Sequence, residues 1–410
     1  MALLRSPLGD PAVEAAQFLR RLAFIILMII APLAEVVSHG ALYILFPVGA
    51  VVLIIGGLLV GGEQAPRRIL TACRTRVGIA AASLIVWSAL SLIWTLFPGD
   101  AAARLMRTLL TAAIAWIAIA SLSERAKIAN IYLLPIGIAL TAIATLLVIL
   151  FGPDSFWMGP NPDFTLAQRC IMSMVILLWP ALGALFLREH VILAALVAII
   201  VTAATAAGFV EIALVALVVA ALIYIVATRD SAQTARFVSI GLAVLFFGAP
   251  PVLALLHPFL KIDNSPVAIF SNVVVHDWPR FITGHGLAMA EHAGTIGLLP
   301  VHAPHNIIFT LWYDLGIVGV TSFVFLLATV LSAASRLPPF AAPAVLAVIV
   351  AGLVIAISGA ETIQLWWVTL NSVAAIALAL LVKAHPRAKR PAAPPADANS
   401  DMEDAFGLHK

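Results

Sequence analysis

Apolar stretches, each about 20 residues long, recur along almost the whole chain and are separated by short polar segments. A stretch of that length can cross a bilayer as an α-helix, which satisfies its own backbone hydrogen bonds in the absence of water. The pattern therefore predicts an all-α polytopic membrane protein with about twelve transmembrane helices. The predicted spans are residues 19–38, 40–61, 78–97, 101–121, 129–151, 165–187, 190–208, 210–228, 237–256, 305–332, 341–358 and 361–382.

The composition agrees with this prediction. Hydrophobic residues make up 63% of the 410 residues, charged residues make up 10%, and the mean hydropathy is +1.10. A soluble domain carries roughly 25% charged residues, so the class of ordinary soluble proteins is excluded. The first 18 residues are polar and precede an apolar run long enough to span, so we expect a retained first helix rather than a cleaved signal peptide. We expect contacts with membrane lipids and none with nucleic acid.

The positive charges indicate the orientation of the bundle. With the N-terminus in the cytoplasm, 18 lysine and arginine side chains fall on the inner side and five on the outer side. This asymmetry predicts that both termini are cytoplasmic. Cys73 and Cys170 then lie on opposite sides of the membrane, so a disulfide is not expected. We interpret residues 1–382 as the transmembrane domain and residues 383–410, rich in proline, alanine and mixed charge, as a disordered cytoplasmic tail.

Two outer segments are longer than simple turns. Residues 152–164 are rich in turn-forming residues and carry two aromatic residues typical of the membrane interface. Residues 257–304 lie between the ninth and tenth spans and form the main extracytoplasmic element, 48 residues long. A segment of that size is too short for a core of its own, so we expect a partly helical cap resting on the helices.

Four of the five outer cations are arginines, and they provide candidate chemistry. Arg104, Arg107 and Arg169 fall at shallow depth in predicted spans, whereas Arg280 lies in the outer segment. A charge at bilayer depth costs at least about 2.5 kcal/mol, so such residues usually face a polar cavity. The planar guanidinium grips phosphate bidentately, so these arginines favour a pyrophosphate site at the outer interface. The alternative is that each arginine snorkels to headgroups or pairs with a nearby carboxylate.

A metal site is not indicated by the sequence. The outer carboxylates are scattered, and the loop histidines do not show zinc-ligand spacing, apart from His302 and His305 three residues apart. We therefore expect neither a metal nor another cofactor.

His305 and Asn306 stand where the outer segment meets the tenth span. A helix N-terminus favours a neutral imidazole, which can act as a general base. Asn306 could orient the ring or a substrate hydroxyl, and Trp312 could stack on a sugar. Gly316 and a second glycine three residues later would let another helix approach closely. The alternative is an interfacial polar residue followed by glycines that serve packing alone.

The spacing of these residues resembles a known signature. His305-Asn306, nine residues, Gly316, two residues and Gly319 is similar to the pattern H-[NSQ]-x9-G-x2-[GTY] of the O-antigen ligase and Wzy-type polymerase superfamily. The predicted twelve spans, with a large outer segment between the ninth and tenth, also resemble this superfamily.

Two arginines extend the resemblance over most of the chain. Arg280, followed by Gly284 and Gly286, is similar to the arginine and G-x-G turn of that superfamily. Arg169, which opens a helix after the mid-chain outer segment, resembles a second arginine of the same superfamily.

The resemblance implies a metal-independent, inverting membrane glycosyltransferase of the GT-C type, active on the periplasmic face of the bacterial inner membrane. Its donor would be a glycan on undecaprenyl pyrophosphate. Arg169 and Arg280 would bind the pyrophosphate and stabilise it as it leaves, and His305 would be the base or would orient the acceptor. Arg104 and Arg107 would complete the phosphate site.

Three functions remain open at this point. An O-antigen ligase would use a sugar of the lipid A core as acceptor, whereas a Wzy-type polymerase would use another lipid-linked glycan. The outer segment is short for a ligase, which leaves the acceptor open. A transporter or flippase for lipid-linked glycans is the third alternative, but the candidate residues lie on one side of the membrane, which favours an enzyme with a fixed outer site.

Overall fold

The computed structural model describes residues 11–38, 40–61, 74–122, 130–152, 164–260, 265–300, 303–359 and 365–384. These residues form helices joined by turns, and no strand occurs among them. The helices are α1 (Pro11–Ile25), α2 (Ala31–Glu35), α3 (Ala41–Gly61), α4 (Arg76–Leu90), α5 (Pro98–Ala120), α6 (Leu133–Phe151), α7 (Phe164–Phe186), α8 (Val191–Ala207), α9 (Glu211–Arg229), α10 (Ser231–Leu256), α11 (Pro266–His276), α12 (Arg280–Thr283), α13 (Met289–His292), α14 (Ile307–Ala334), α15 (Ala342–Ile357) and α16 (Leu365–Val382).

The prediction of an all-helical, polytopic membrane protein is confirmed. Within the described ranges, ten helical segments are long and apolar enough to cross a membrane. The helices α8 and α15, which match the seventh and eleventh predicted spans, have 17 and 16 residues. They fall just short of the length of the other ten, so a total of twelve crossings stays a prediction.

The helix ends follow local sequence signals. The first helical segment already includes Pro11, the first described residue, so it extends before the predicted residue 19. It continues through a π-helical turn (Ile26–Ile30) into α2. The helix α10 begins at Ser231 because the Asp230 carboxylate accepts hydrogen bonds from the backbone N–H groups of Ala232 and Gln233, at 2.9 Å each.

The helix α7 forms the centre of the larger packing cluster. Every residue from 170 to 185 in this helix is buried inside the protein, and the helix contacts α6, α8, α15 and α16. A helix that is apolar all round and enclosed by other helices belongs to a core rather than to a lipid-facing layer. Cys170 is buried in this cluster, with its sulfur 3.4 Å from the Thr145 hydroxyl oxygen. Cys73 lies outside the described residues, so the predicted absence of a disulfide is not tested.

A second cluster surrounds α14. The side chains of Phe246, Phe309 and Trp312 are buried there, between α10, α14 and the short helices of the outer segment. The Phe309 ring stacks on Tyr313 with 5.3 Å between ring centroids. This cluster fastens the outer segment to the membrane helices by aromatic contacts.

The segment 257–304 is helical in three short pieces, α11, α12 and α13, preceded by a 3-10 turn (His257–Phe259). Residues 261–264 and 301–302 lie outside the described ranges. The predicted tail begins with two described residues. The Lys383 ammonium donates hydrogen bonds to the carbonyls of Ile119 at 3.3 Å and Leu122 at 3.0 Å, at the end of α5. The remaining tail, 385–410, lies outside the described residues, as does most of the predicted turn-rich segment 152–164.

Candidate functional site

The helix α14 breaks at Gly316. Its φ of 62° and ψ of −164° are not helical, and α14 continues beyond it. A Cβ atom at this position would lie 2.6 Å from the Gly284 backbone nitrogen and 2.7 Å from the Ile282 carbonyl oxygen. Glycine is therefore required at position 316 for two reasons: its backbone conformation and the close approach of the outer segment. The close approach predicted at Gly316 is present, and its partner is the one-turn helix α12 with the glycine that follows it, rather than another membrane helix. At Gly319 an added Cβ would meet the Leu315 side chain of the same helix.

The break exposes backbone carbonyls that the outer segment then satisfies. The His285 N–H donates to the Tyr313 carbonyl at 2.8 Å, and the Gly286 N–H donates to the Asp314 carbonyl at 2.9 Å. Two successive residues of the loop thus pair with two successive residues of α14. Because a buried carbonyl without a donor costs free energy, the loop and the break stabilise each other.

The preceding part of the chain completes this arrangement. The Trp87 indole N–H donates to the Leu315 carbonyl at 2.8 Å. The Thr95 hydroxyl donates to the Leu287 carbonyl at 2.9 Å, and the Leu287 N–H donates to the Ser91 hydroxyl oxygen at 3.3 Å. The helix α4 and the turn after it therefore hold the loop and the broken helix together.

Asp314 anchors the next short helix. Its side chain is 3% exposed and accepts hydrogen bonds from the backbone N–H groups of Ala288 at 3.0 Å and Ala290 at 2.6 Å. Ala288 adopts a left-handed conformation with φ of 68°. The carboxylate thus caps the first turn of α13 from a different helix. As a result, α13 has a fixed position relative to the break in α14.

Arg280 begins the one-turn helix α12, and its side chain is exposed. The next residue, Phe281, packs on Trp312 with 5.5 Å between ring centroids. Trp312 is 6% exposed, and its indole N–H donates to the Phe246 carbonyl at 2.9 Å. It borders an apolar pocket of about 270 Å³ together with Trp278 and Phe281. Trp312 is thus a buried aromatic residue that supports Phe281, the neighbour of Arg280 in the sequence. Its predicted stacking on a sugar stays a prediction.

His305 is exposed at the start of α14. The Asn306 side-chain oxygen accepts a hydrogen bond from the Phe309 N–H at 2.8 Å and caps the helix. A Cβ atom at Gly359, which follows α15, would lie 3.7 Å from the Asn306 nitrogen. The amide oxygen of Asn306 therefore has a structural partner, whereas the imidazole of His305 is accessible to a ligand from the solvent side.

Arg104 and Arg107 border one polar pocket of about 520 Å³ at the start of α5. Arg104 forms an ion pair with Glu291 of α13, and its guanidinium is also attracted by the buried Asp314. The His292 ring nitrogen lies 3.4 Å from an Asp100 carboxylate oxygen. These two cross-links attach α13 to α5. The pocket therefore combines cationic and anionic side chains rather than cations alone.

Arg169 lies elsewhere, at the start of α7. Its guanidinium carbon is 6.0 Å from the centre of the Trp366 ring. The indole N–H of Trp366 donates to the Glu35 carboxylate at 2.8 Å, and both side chains are buried. Electrostatic attraction also links Glu35 with Arg169. Sequence reasoning missed Glu35, although an acidic residue at the end of a membrane span is itself a signal of a functional or structural site.

Three groups of candidate residues border the residues on either side of the segment between α15 and α16. Leu365 borders the pocket of Arg104 and Arg107, and the next residue, Trp366, contacts Arg169. The other end of the connection, Gly359, packs beside His305 and Asn306. Six residue steps cannot exceed about 22 Å, so this connection limits the separation between the pocket and the start of α14. Arg280 lies in the outer segment, a few residues before Gly284, which approaches the break at Gly316.

Among the described residues, no group of three or more histidine, cysteine, aspartate or glutamate side chains is placed to hold a metal ion. The arrangement offers arginine side chains near the ends of the membrane helices and in the outer segment, together with the accessible imidazole of His305. Such a set can bind an anionic group and accept a proton. No family model matches the chain, and a search of curated proteins finds no match either.

Proposed function

We propose that this protein is a multi-pass glycosyltransferase of the bacterial inner membrane, of the O-antigen ligase type. It transfers a glycan from undecaprenyl pyrophosphate to a sugar of the lipid A core. In this proposal both termini are cytoplasmic, and the segment 257–304 and the active site are periplasmic. The proposal rests on the motif resemblance and on the distribution of positive charge in the sequence.

One observation carries the proposal. The two segments that bear the resemblance, Arg280 to Gly286 and His305 to Gly319, pair with each other through the break at Gly316. Gly284 and Gly316 stand in close contact, which gives a physical reason for both parts of the motif to occur in one chain. The observation supports membership of the superfamily more strongly than it supports a particular acceptor.

The proposed chemistry follows from the bond that breaks. The acceptor hydroxyl oxygen attacks the anomeric carbon of the donor sugar, and the bond between that carbon and the pyrophosphate oxygen breaks. Negative charge grows on the pyrophosphate, and preorganised guanidinium groups at Arg169 and Arg280 stabilise it. His305 accepts the proton of the hydroxyl group. Arg104 and Arg107 border a pocket that contributes to the binding of the phosphate groups or the neighbouring sugars.

The first experiment is a lipopolysaccharide gel of a deletion strain complemented with the wild type or with His305→Ala, beside an assay of carrier-linked glycan. A ligase predicts core without O-antigen and long glycan accumulating on the carrier lipid, in both the deletion strain and the variant strain. His305→Gln is the matched variant, because it keeps a polar side chain but lacks a basic ring nitrogen.

The same experiment separates the alternatives. Core that carries a single repeat unit indicates a Wzy-type polymerase. An unchanged ladder directs attention to a secreted polysaccharide or to a transporter of lipid-linked glycans, and contradicts the ligase proposal. Turnover by the purified protein in EDTA tests the metal-independent mechanism, and activity that EDTA removes and added metal restores would contradict it.

Arg280→Lys tests the role of the guanidinium. Lysine keeps the charge but loses the planar fork, so a bidentate phosphate contact predicts that most activity is lost while the protein still inserts. Near-normal transfer by Arg280→Lys would argue against such a contact.

A further inference from the structure

The ring of His285 is held on three sides. Its Nδ1 lies 3.1 Å from the Tyr313 carbonyl oxygen, and its Nε2 lies 2.7 Å from a carboxylate oxygen of Asp277. The ring stacks on Tyr313 with 4.0 Å between centroids and 12° between planes. The His285 side chain is only 14% exposed, so these contacts fix its orientation. The histidine thus connects the loop before Arg280 to the broken helix α14.

Both partners of the ring can only accept hydrogen bonds. A carbonyl oxygen and a carboxylate oxygen offer no proton, so both ring nitrogens donate only when the imidazole carries two protons. The observed geometry therefore fits the cationic ring next to an anionic Asp277. Among the described residues, the ionisable groups on the segments that contact His285 are Asp277 and Arg280 on the loop side and Tyr313 and Asp314 on α14.

Asp277 and His285 stand on either side of Arg280 in the sequence, and hydrogen bonds connect the turn between them. The Asp277 carbonyl accepts a hydrogen bond from the Arg280 N–H at 3.1 Å, and the Arg280 carbonyl accepts one from the Gly284 N–H at 2.6 Å. Asp277 precedes α12 and His285 follows it, so their side-chain contact closes the turn that carries Arg280. The end of the turn is fixed to α14 through the backbone of His285, whereas its beginning depends on the Asp277 carboxylate and on the packing of Phe281.

We propose that His285 and Asp277 form a charged clamp that positions Arg280 for binding the anionic group of the substrate. The proposal rests on the proposed function, because it assigns the anion to the pyrophosphate that Arg280 would bind. His285 and Asp277 are positioning residues and act through Arg280. Loss of the second ring proton leaves one of two acceptors without a donor, so the clamp weakens as the pH rises.

The test measures binding of undecaprenyl pyrophosphate to the full-length protein in detergent, over a series from about pH 6 to about pH 9. Asp277→Ala and His285→Ala should each weaken binding by about tenfold at the lower pH, roughly the effect of 1.4 kcal/mol. Asp277→Asn should bind nearly as well as the wild type. Its amide can either accept or donate, so it should also lack the loss of affinity that the wild type shows at higher pH. Comparing the variants with the wild type at each pH removes the titration of the ligand itself.

A double variant tests whether the clamp acts through Arg280. In the Arg280→Ala background, adding His285→Ala should change the affinity less than twofold. His276→Ala is the matched control, because His276 lies in the same outer segment and contacts the Asn272 carbonyl through Nδ1. Thermal unfolding and gel filtration of each variant show whether it is folded.

The outcomes separate the two proposals. If Arg280→Ala weakens binding but Asp277→Ala and His285→Ala bind like the wild type, the clamp is wrong and the proposed function stands. The clamp is equally overturned if Asp277→Asn keeps the pH profile of the wild type, or if His285→Ala costs as much in the Arg280→Ala background as alone. Wild-type protein that does not bind undecaprenyl pyrophosphate overturns the proposed function, and the clamp with it.

Discussion

Arg169 and Arg104 both lie near the start of a membrane helix, but the protein holds them in different ways. Arg169 lies over the Trp366 ring, which is 1% exposed and hydrogen-bonded to Glu35, itself 4% exposed. Arg104 instead pairs with Glu291, and the side chains of this pair are 27% and 46% exposed at the edge of an open pocket. One guanidinium thus has an enclosed, preorganised partner set, and the other has a partner that water and salt can reach.

This difference in burial indicates which of the two arginines contributes more to the stability of the fold. An exposed ion pair contributes about 0–1 kcal/mol, because water screens it and two long side chains lose freedom. Removal of one partner from a buried cluster costs more, since it leaves a polar group without compensation. We therefore expect the Glu35–Trp366–Arg169 cluster to be structural as well as functional. The Arg104–Glu291 pair can open for a ligand at little cost.

Arg169→Met should have the largest effect. The substitution leaves the Glu35 carboxyl without its nearby cation, and we expect a loss of about 3 kcal/mol in the free energy of unfolding. It should also abolish glycan transfer if Arg169 binds the pyrophosphate. Thermal unfolding in detergent and the transfer assay measure the two effects. Arg107→Met, which removes an exposed cation, is the control for stability. If Arg169→Met and Arg107→Met unfold at the same temperature, the enclosed arginine contributes no more to stability than an exposed one, contrary to the comparison.

Trp366→Phe should come next. Phenylalanine keeps much of the ring but cannot donate a hydrogen bond to Glu35, so a buried acceptor loses its partner at a cost of about 1–3 kcal/mol. Trp367→Phe tests whether the loss comes from the smaller ring alone. If both variants unfold at the same temperature, the indole hydrogen bond contributes nothing measurable.

Glu35→Gln sharpens the comparison by separating the hydrogen bond from the charge. The amide oxygen of glutamine can still accept from the Trp366 indole, so we expect a change in unfolding free energy below about 1 kcal/mol. Thermal unfolding of this variant is compared with that of Trp366→Phe. A larger loss in Glu35→Gln would mean that attraction to Arg169, rather than the indole hydrogen bond, holds the cluster together.

Glu291→Gln should have the smallest effect. The pair with Arg104 is partly exposed, so we expect at most about 1 kcal/mol, and the difference from the wild type should shrink as salt is added. Unfolding curves at low and high sodium chloride measure this. A salt-independent loss as large as that of Trp366→Phe would show that the pair is enclosed, contrary to the comparison.

Much of the fold could be predicted from the sequence, because hydrophobic length dominates in a membrane. Each predicted span coincides with a helix, and the ends agree within a few residues where a cap or a proline fixes them, as at Pro98 for the predicted 101–121. The largest difference is at the N-terminus, where an alanine-rich stretch with Glu14 and Gln17 extends the first helix back to Pro11. Hydropathy does not detect such an extension, because its residues are less apolar than those of a membrane span.

The contacts within the candidate site were less predictable. Gly316 and Gly319 have the spacing of a helix-packing face, but the partner of Gly316 is a loop about thirty residues earlier, and no local pattern encodes that pairing. Glu35 and Trp366 are far apart in sequence, and only the packing of their helices brings them together. The arginines and His305 were recognisable because polar side chains are conspicuous in an apolar chain, whereas their partners depend on tertiary structure.

The hydrogen bond from Trp87 to the Leu315 carbonyl has a consequence for biosynthesis. The two residues are 228 positions apart. At roughly 5–20 residues per second, a ribosome needs roughly 10–45 seconds to make the second partner after the first. During that interval α4 is already made, and its indole N–H must find lipid headgroups, water or the insertion machinery as a temporary partner. A nascent chain truncated between these residues should therefore present Trp87 to its surroundings, and the assembly of this region awaits one of the last helices to leave the ribosome.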